Sequence, residues 1–157
     1  MEDEIIDIAP EKYIYKTGHL QLATFFGGPL SIVYILAENF KQLGYPEKVK
    51  RTWIFGIGLF VIFIVLILLM QVSAKTPDIL PSLISILIGT AIMKSWQGTD
   101  IKNHVDKGGH VYSYWRAILI GVISLVITLI FLVFLAIFMD KVFGLGIIKA
   151  EGLTPKS

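Results

Sequence analysis

The sequence predicts an all-α integral membrane protein built as a four-helix bundle, and three observations carry that prediction. Hydrophobic residues make up 55% of the 157-residue chain, with a mean hydropathy of +0.73, more than a water-soluble fold of this size can bury. Charged residues are 17% and gather in short segments between long apolar runs, as expected where spans alternate with loops. Those runs reach the length of about 20 residues that crosses a hydrocarbon core of about 30 Å. The expected organisation is a polar N-terminal segment over 1–18, a four-helix transmembrane domain over 19–140 and a tail over 141–157.

The chain opens Met1-Glu2-Asp3-Glu4-Ile5-Ile6-Asp7. This acidic start lacks the basic and apolar regions of a cleavable signal and reads as mature sequence. Glu2 stands where myristoylation needs a glycine, and with no cysteine in the chain there is no acylation site. The first predicted span covers residues 20–40 (LQLATFFGGPLSIVYILAENF). The second, 53–72, is almost pure Ile, Leu, Val and Phe and opens on Trp53. The third, about 79–96, is shorter and ends on Trp96. The fourth, 115–139, opens on Trp115 and carries only Arg116 as an ionisable residue. Tryptophans at these ends fit the aromatic belt of a bilayer. The alternative of re-entrant or interfacial insertion applies to the first and third stretches, and first to the shorter one. Pairing of each with an unambiguous span favours full hairpins.

Lys41, Lys48, Lys50 and Arg51 lie between the first two spans, and Lys94, Lys102, Lys107 and Arg116 between the last two, against Lys75 alone in the middle connection. The positive-inside rule makes the two basic segments cytoplasmic and both termini non-cytoplasmic. The order span, basic segment, Trp-led span occurs twice, consistent with two similar hairpins related in parallel, or simply with features that membrane hairpins share.

An ionisable group at mid-span costs at least about 2.5 to 3.5 kcal/mol and marks an ion or substrate path; this chain has none. Glu38 comes nearest, expected as an interfacial carboxylate paired with a lysine or meeting water. Gly27-Gly28-Pro29 is the most unusual feature of the spans. Proline removes a helical N–H and the glycines remove side-chain support, so a kink or break near mid-membrane is expected. It offers either a binding site of freed backbone groups or a structural kink satisfied by a nearby serine or threonine. Ser82, Ser85 and Gly89 provide small surfaces for close helix packing, which makes the first and third spans the expected inner pair.

No metal, cofactor or catalytic constellation is expected. His19 is placed at the outer end of the first span and His104 and His110 on the other face, and the absence of cysteine removes thiolate chemistry. Lys107-Gly108-Gly109 leading into Tyr112 and Arg116 reads as a helix anchor whose cations, Lys107 and Arg116, suit an anionic lipid head group. A net charge of +2 without a basic, aromatic-interleaved face argues against nucleic acid.

The stretches LATFFGGPLSIVYILAENFKQLG (22–44) and SYWRAILIGVISLVITLI (113–130) resemble a family of small uncharacterised bacterial inner-membrane proteins, over roughly residues 13–138. The resemblance implies a bacterial inner-membrane location and four helices, and it transfers no activity and no site residues. The expected function is therefore non-enzymatic: an accessory or assembly subunit, or a homo-oligomer, whose partners are the lipid bilayer and other membrane subunits or itself. The alternative is a small transporter or channel with its path at the Gly27-Gly28-Pro29 break.

Overall fold

A computed structural model describes residues 11–73 and 80–143. The acidic start, the connection holding Lys75 and the tail from residue 144 lie outside the described residues. The chain is mainly helical, in the order β1 (Tyr13–Ile14), α1 (Thr17–Gly27), α2 (Pro29–Gln42), α3 (Pro46–Ser73), α4 (Leu80–Asp106), β2 (His110–Val111) and α5 (Tyr114–Phe143). The all-α prediction therefore holds, apart from one two-residue parallel pairing of β1 with β2. Among the described residues one helix, over Tyr114–Met139, is long and apolar enough to cross a membrane.

The predicted first span over 20–40 is not one helix. Gly28 sits at φ 63° and ψ −155°, a backbone region that a Cβ would strain, and its N–H donates to Thr24 O at 2.8 Å to close α1. Pro29 then begins α2, where its fixed φ and missing N–H suit the first helical position. The break is thus a reversal. The start of α1 and the end of α2 lie side by side, joined by hydrogen bonds between Tyr15 and Asn39. With 11 residues in α1 and 14 in α2, the hairpin reaches about 16 to 21 Å into the bundle.

This reversal corrects the predicted orientation. Tyr13 and Ile14 pair with His110 and Val111, so the N-terminal strand, the turn after α2 and the connection from α4 to α5 share one end of the bundle. The far end of α5 lies at the other. The start of the described chain and the end of α5 therefore do not share a side, and His19 lies at the same end as His104 and His110. The doubled hairpin fails for the same reason, because the first half contains a reversed pair where the second has the continuous α4.

The helices also run past the predicted loops. Pro46 starts α3, so Lys48, Lys50 and Arg51 stand on its first turns, with Glu47 favourably placed at the positive end of the helix dipole. At the other end of the polar segment, α4 continues beyond Trp96 to Asp106, making Asp100 and His104 helical.

The core is centred on the hairpin. Residues Ile32, Ile35, Leu36 and Phe40 of α2 are buried, as are Leu20 and Ala23 of α1. Two of the long helices meet the hairpin through one stripe each at helical spacing: Ser85, Gly89, Met93 and Gln97 on α4, and Ala117, Ile120, Gly121 and Ser124 on α5. Outside these stripes the described residues of α3, α4 and α5 include many exposed apolar side chains, among them Phe55, Leu59, Leu87, Ile130 and Phe134, while the last turns of α4 expose Lys94, Thr99 and Lys102.

Candidate functional site

A group of buried and half-buried polar residues converges at the open end of the hairpin. Asn39 is fully buried, and its side-chain amide treats the extended Tyr15 backbone as a strand partner. Its Oδ1 accepts from Tyr15 N–H at 2.7 Å and its Nδ2 donates to Tyr15 O at 2.9 Å. The same Nδ2 lies 3.1 Å from Gln97 Oε1, while Gln97 Nε2 donates to Leu36 O at 2.8 Å. Gln97 is also fully buried. Two amides thus tie the N-terminal strand, α2 and α4 together in an environment where unpaired polar atoms are costly.

Beside this latch, Glu38 accepts from Gln42 Nε2 at 2.9 Å and from Tyr112 OH at 3.2 Å. The predicted lysine partner is replaced by a phenol and an amide. The guanidinium of Arg116 lies 4.0 Å from the centre of the Tyr112 ring, a cation–π arrangement that turns it toward the cluster. Burial, the largest influence, raises the Tyr112 phenol above its ordinary 10.0. It raises Tyr15 further, whose OH is buried without a hydrogen-bond partner. Both phenols stay neutral at physiological pH.

An aromatic stack continues the cluster. Tyr13 stacks on His110 at 5.1 Å, Tyr15 lies 4.3 Å from Tyr112, and His19 stacks on Tyr114 at 4.1 Å between ring centroids. His19 Nδ1 accepts from Lys16 N–H at 3.2 Å, which places the neutral ring's proton on the buried, unpartnered Nε2. Burial holds its pKa below the usual 6.5, and the Lys16 charge acts in the same direction.

The other predicted residues serve elsewhere. Gly27 packs directly on the Gly121 backbone of α5, and Gly89 fits under Ile32 and Leu20, where a Cβ would come within 2.7 Å of Ile32. Ser85 donates to Pro81 O at 2.8 Å, and Ser82 is half-buried. At the turn after α4, Gly108 has φ 77° and the N–H groups of Gly108 and Gly109 donate to Val105 and His104 carbonyls at 3.0 and 2.8 Å. They cap the helix and leave no cradle for a phosphate, while Lys107 is exposed.

Sequence reading missed Asn39, Gln97, Tyr15 and Tyr112 as one unit. The signal for Gln97 was present in its four-residue register with Met93, Gly89 and Ser85. Nothing local announced that Asn39 meets Tyr15, 24 residues away. Among the described residues no group of three or more His, Asp or Glu side chains is arranged to hold a metal ion, and the cluster joins phenols and amides with the Glu38 carboxylate and the Arg116 guanidinium. Its chemistry is that of a hydrogen-bonded clasp. No protein-family model matches the chain, and neither a curated protein nor a solved structure is significantly similar to it.

Proposed function

We propose that the chain is a non-enzymatic bacterial inner-membrane protein, in which α3, α4 and α5 cross the bilayer and the α1–α2 hairpin enters it halfway, and that it works by packing as an accessory or assembly subunit or as a homo-oligomer. One observation carries this reading: the amides of Asn39 and Gln97 are buried and paired within the clasp, whereas the apolar stretches of α3, α4 and α5 expose residues such as Phe55, Leu87 and Phe134 on their described outer faces. Such faces belong against lipid or other apolar helices. The basic residues at the open end of the hairpin make that end cytoplasmic.

The transporter reading draws on the chain reversal at Gly28. Against it, the reversal carries no ionisable residue between Phe25 and Val33, its helix ends are latched by Asn39, and Gly27 seats its tip against Gly121. The hairpin is built as a fixed insert.

The test is extraction at native expression level in mild detergent followed by native mass spectrometry. Copurifying membrane subunits or a defined homo-oligomer are expected. A lone monomer in every detergent would overturn the accessory reading, and recovery outside the membrane fraction would overturn the membrane reading itself.

A further inference from the structure

A second feature lies on the far side of α2 from the clasp. A half-open groove of about 570 Å³ runs between α2, α3 and α4, within the size range of small-molecule sites. Its walls are almost wholly apolar, formed by Ile32, Val33 and Leu36 of α2, Phe55 and Phe63 of α3 and Ile88 of α4. Its apolar part runs from near Thr52 to Phe63, which along α3 is about 16 Å, roughly half of a bilayer core. The inner end lies at Pro29 and Ser85, level with the hairpin tip. Exposed Phe55, Leu59 and Ile62 flank it, so in a membrane the groove opens sideways to lipid.

The outer end has a different character. Lys48 and Arg51 line it three residues apart, on one face of the first turns of α3. Neither pairs with a carboxylate among the described residues. Lys48 is steadied over the rings of Tyr45, at 4.0 Å, and Phe40, at 5.3 Å. Trp96, half-exposed, stands at the same end of the groove, a residue suited to the headgroup level. Apolar walls one leaflet deep, closed by two cations where headgroups lie, complement an amphiphile with an anionic head.

We infer that this groove binds an anionic phospholipid of the surrounding bilayer, one acyl chain lying between α2, α3 and α4 and the headgroup phosphate on Lys48 and Arg51. The lipid would cover the exposed apolar side chains that α3 and α4 present along the groove, among them Phe55, Leu59 and Ile88. The site stands apart from the clasp and from Lys107 and Arg116. It rests on the membrane reading but not on the accessory role.

The experiment is native mass spectrometry of delipidated full-length protein titrated with phosphatidylglycerol or with phosphatidylcholine of the same acyl chains. Retention of phosphatidylglycerol is expected to be on the order of tenfold higher, as two cations at a headgroup imply. The Lys48→Ala/Arg51→Ala variant is expected to lose that preference, while Lys102→Ala, altering a cation outside the groove, keeps it. Ile88→Trp, filling the groove, is expected to reduce retention of phosphatidylglycerol. Where the double variant does not fold by circular dichroism, Lys48→Gln replaces it, with a partial loss expected. Equal retention of the two lipids, a preference that survives loss of both cations, or retention indifferent to Ile88→Trp would each overturn the proposal. So would a protein chain crosslinked from Ile88→Cys in the native membrane. A chain recovered outside the membrane fraction would fail the membrane reading first, whereas a membrane-embedded protein blind to headgroup charge fails the groove alone.

Discussion

Asn39 is the residue on which the open end of the hairpin depends. Its one amide meets both backbone groups of Tyr15 and the Gln97 side chain, all in a buried setting. Asn39→Ala would leave those partners without replacements, at an expected cost of about 2 to 4 kcal/mol; chemical or thermal unfolding in detergent would measure it, and a loss below about 0.5 kcal/mol would mean that water substitutes for the amide. His19 makes a second prediction at this scale. Burial depresses its pKa below 6.5 in the folded chain, so the unfolded chain binds a proton that the folded one excludes. Its contribution is therefore intact above about pH 6.5 and is lost as pH falls toward the depressed value. The informative quantity is a difference between variant and parent: His19→Asn should unfold with a smaller drop in midpoint between pH 7.5 and 5.5 than the parent. Equal drops would place the acid sensitivity elsewhere.

At the scale of elements, the hairpin is held at its tip by close backbone approach. A Cβ on Gly27 would run into the Gly121 backbone and Ser124, and one on Gly121 would come within 2.8 Å of Ala23 O. Gly27→Ala must push α1 and α5 apart, while Gly28→Ala meets open space and suffers only from its backbone at φ 63° and ψ −155°, a region nearly confined to glycine, at a penalty of about 1 to 3 kcal/mol. The expected order of melting temperatures is parent, then Gly28→Ala, then Gly27→Ala; the reverse order would show that the tip adapts where the φ cannot. The same element shows what was legible in the sequence. Gly27-Gly28-Pro29 announced a break, because proline and glycine act locally. It did not announce a reversal, because both a kink and a turn use those residues and the choice depends on Asn39 finding Tyr15. Likewise the stripe from Ser85 to Gln97 was visible at helical spacing, while the partner of Glu38 was not, since Tyr112 lies 74 residues away.

For the whole molecule, helical character was legible from apolar run lengths, whereas orientation was not, because it hinges on whether residues 20–40 cross or turn back. A crossing helix would put Lys12 opposite Lys107. The turned hairpin puts them at one end, since β1 pairs with β2, and sends Lys141 near the end of α5 to the other. The chain contains no cysteine, so single replacements report without interference. With Lys12→Cys, Tyr45→Cys, Lys107→Cys and Lys141→Cys in intact cells, a membrane-impermeant maleimide is expected to label only Lys141→Cys, and all four after the membrane is permeabilised. Exposure of those four residues makes failure to label in permeabilised cells an unfolded or shielded site and not a topological result. Labelling of Lys12→Cys together with Lys141→Cys would restore four full crossings, and with them a first helix that passes through Gly28 without turning.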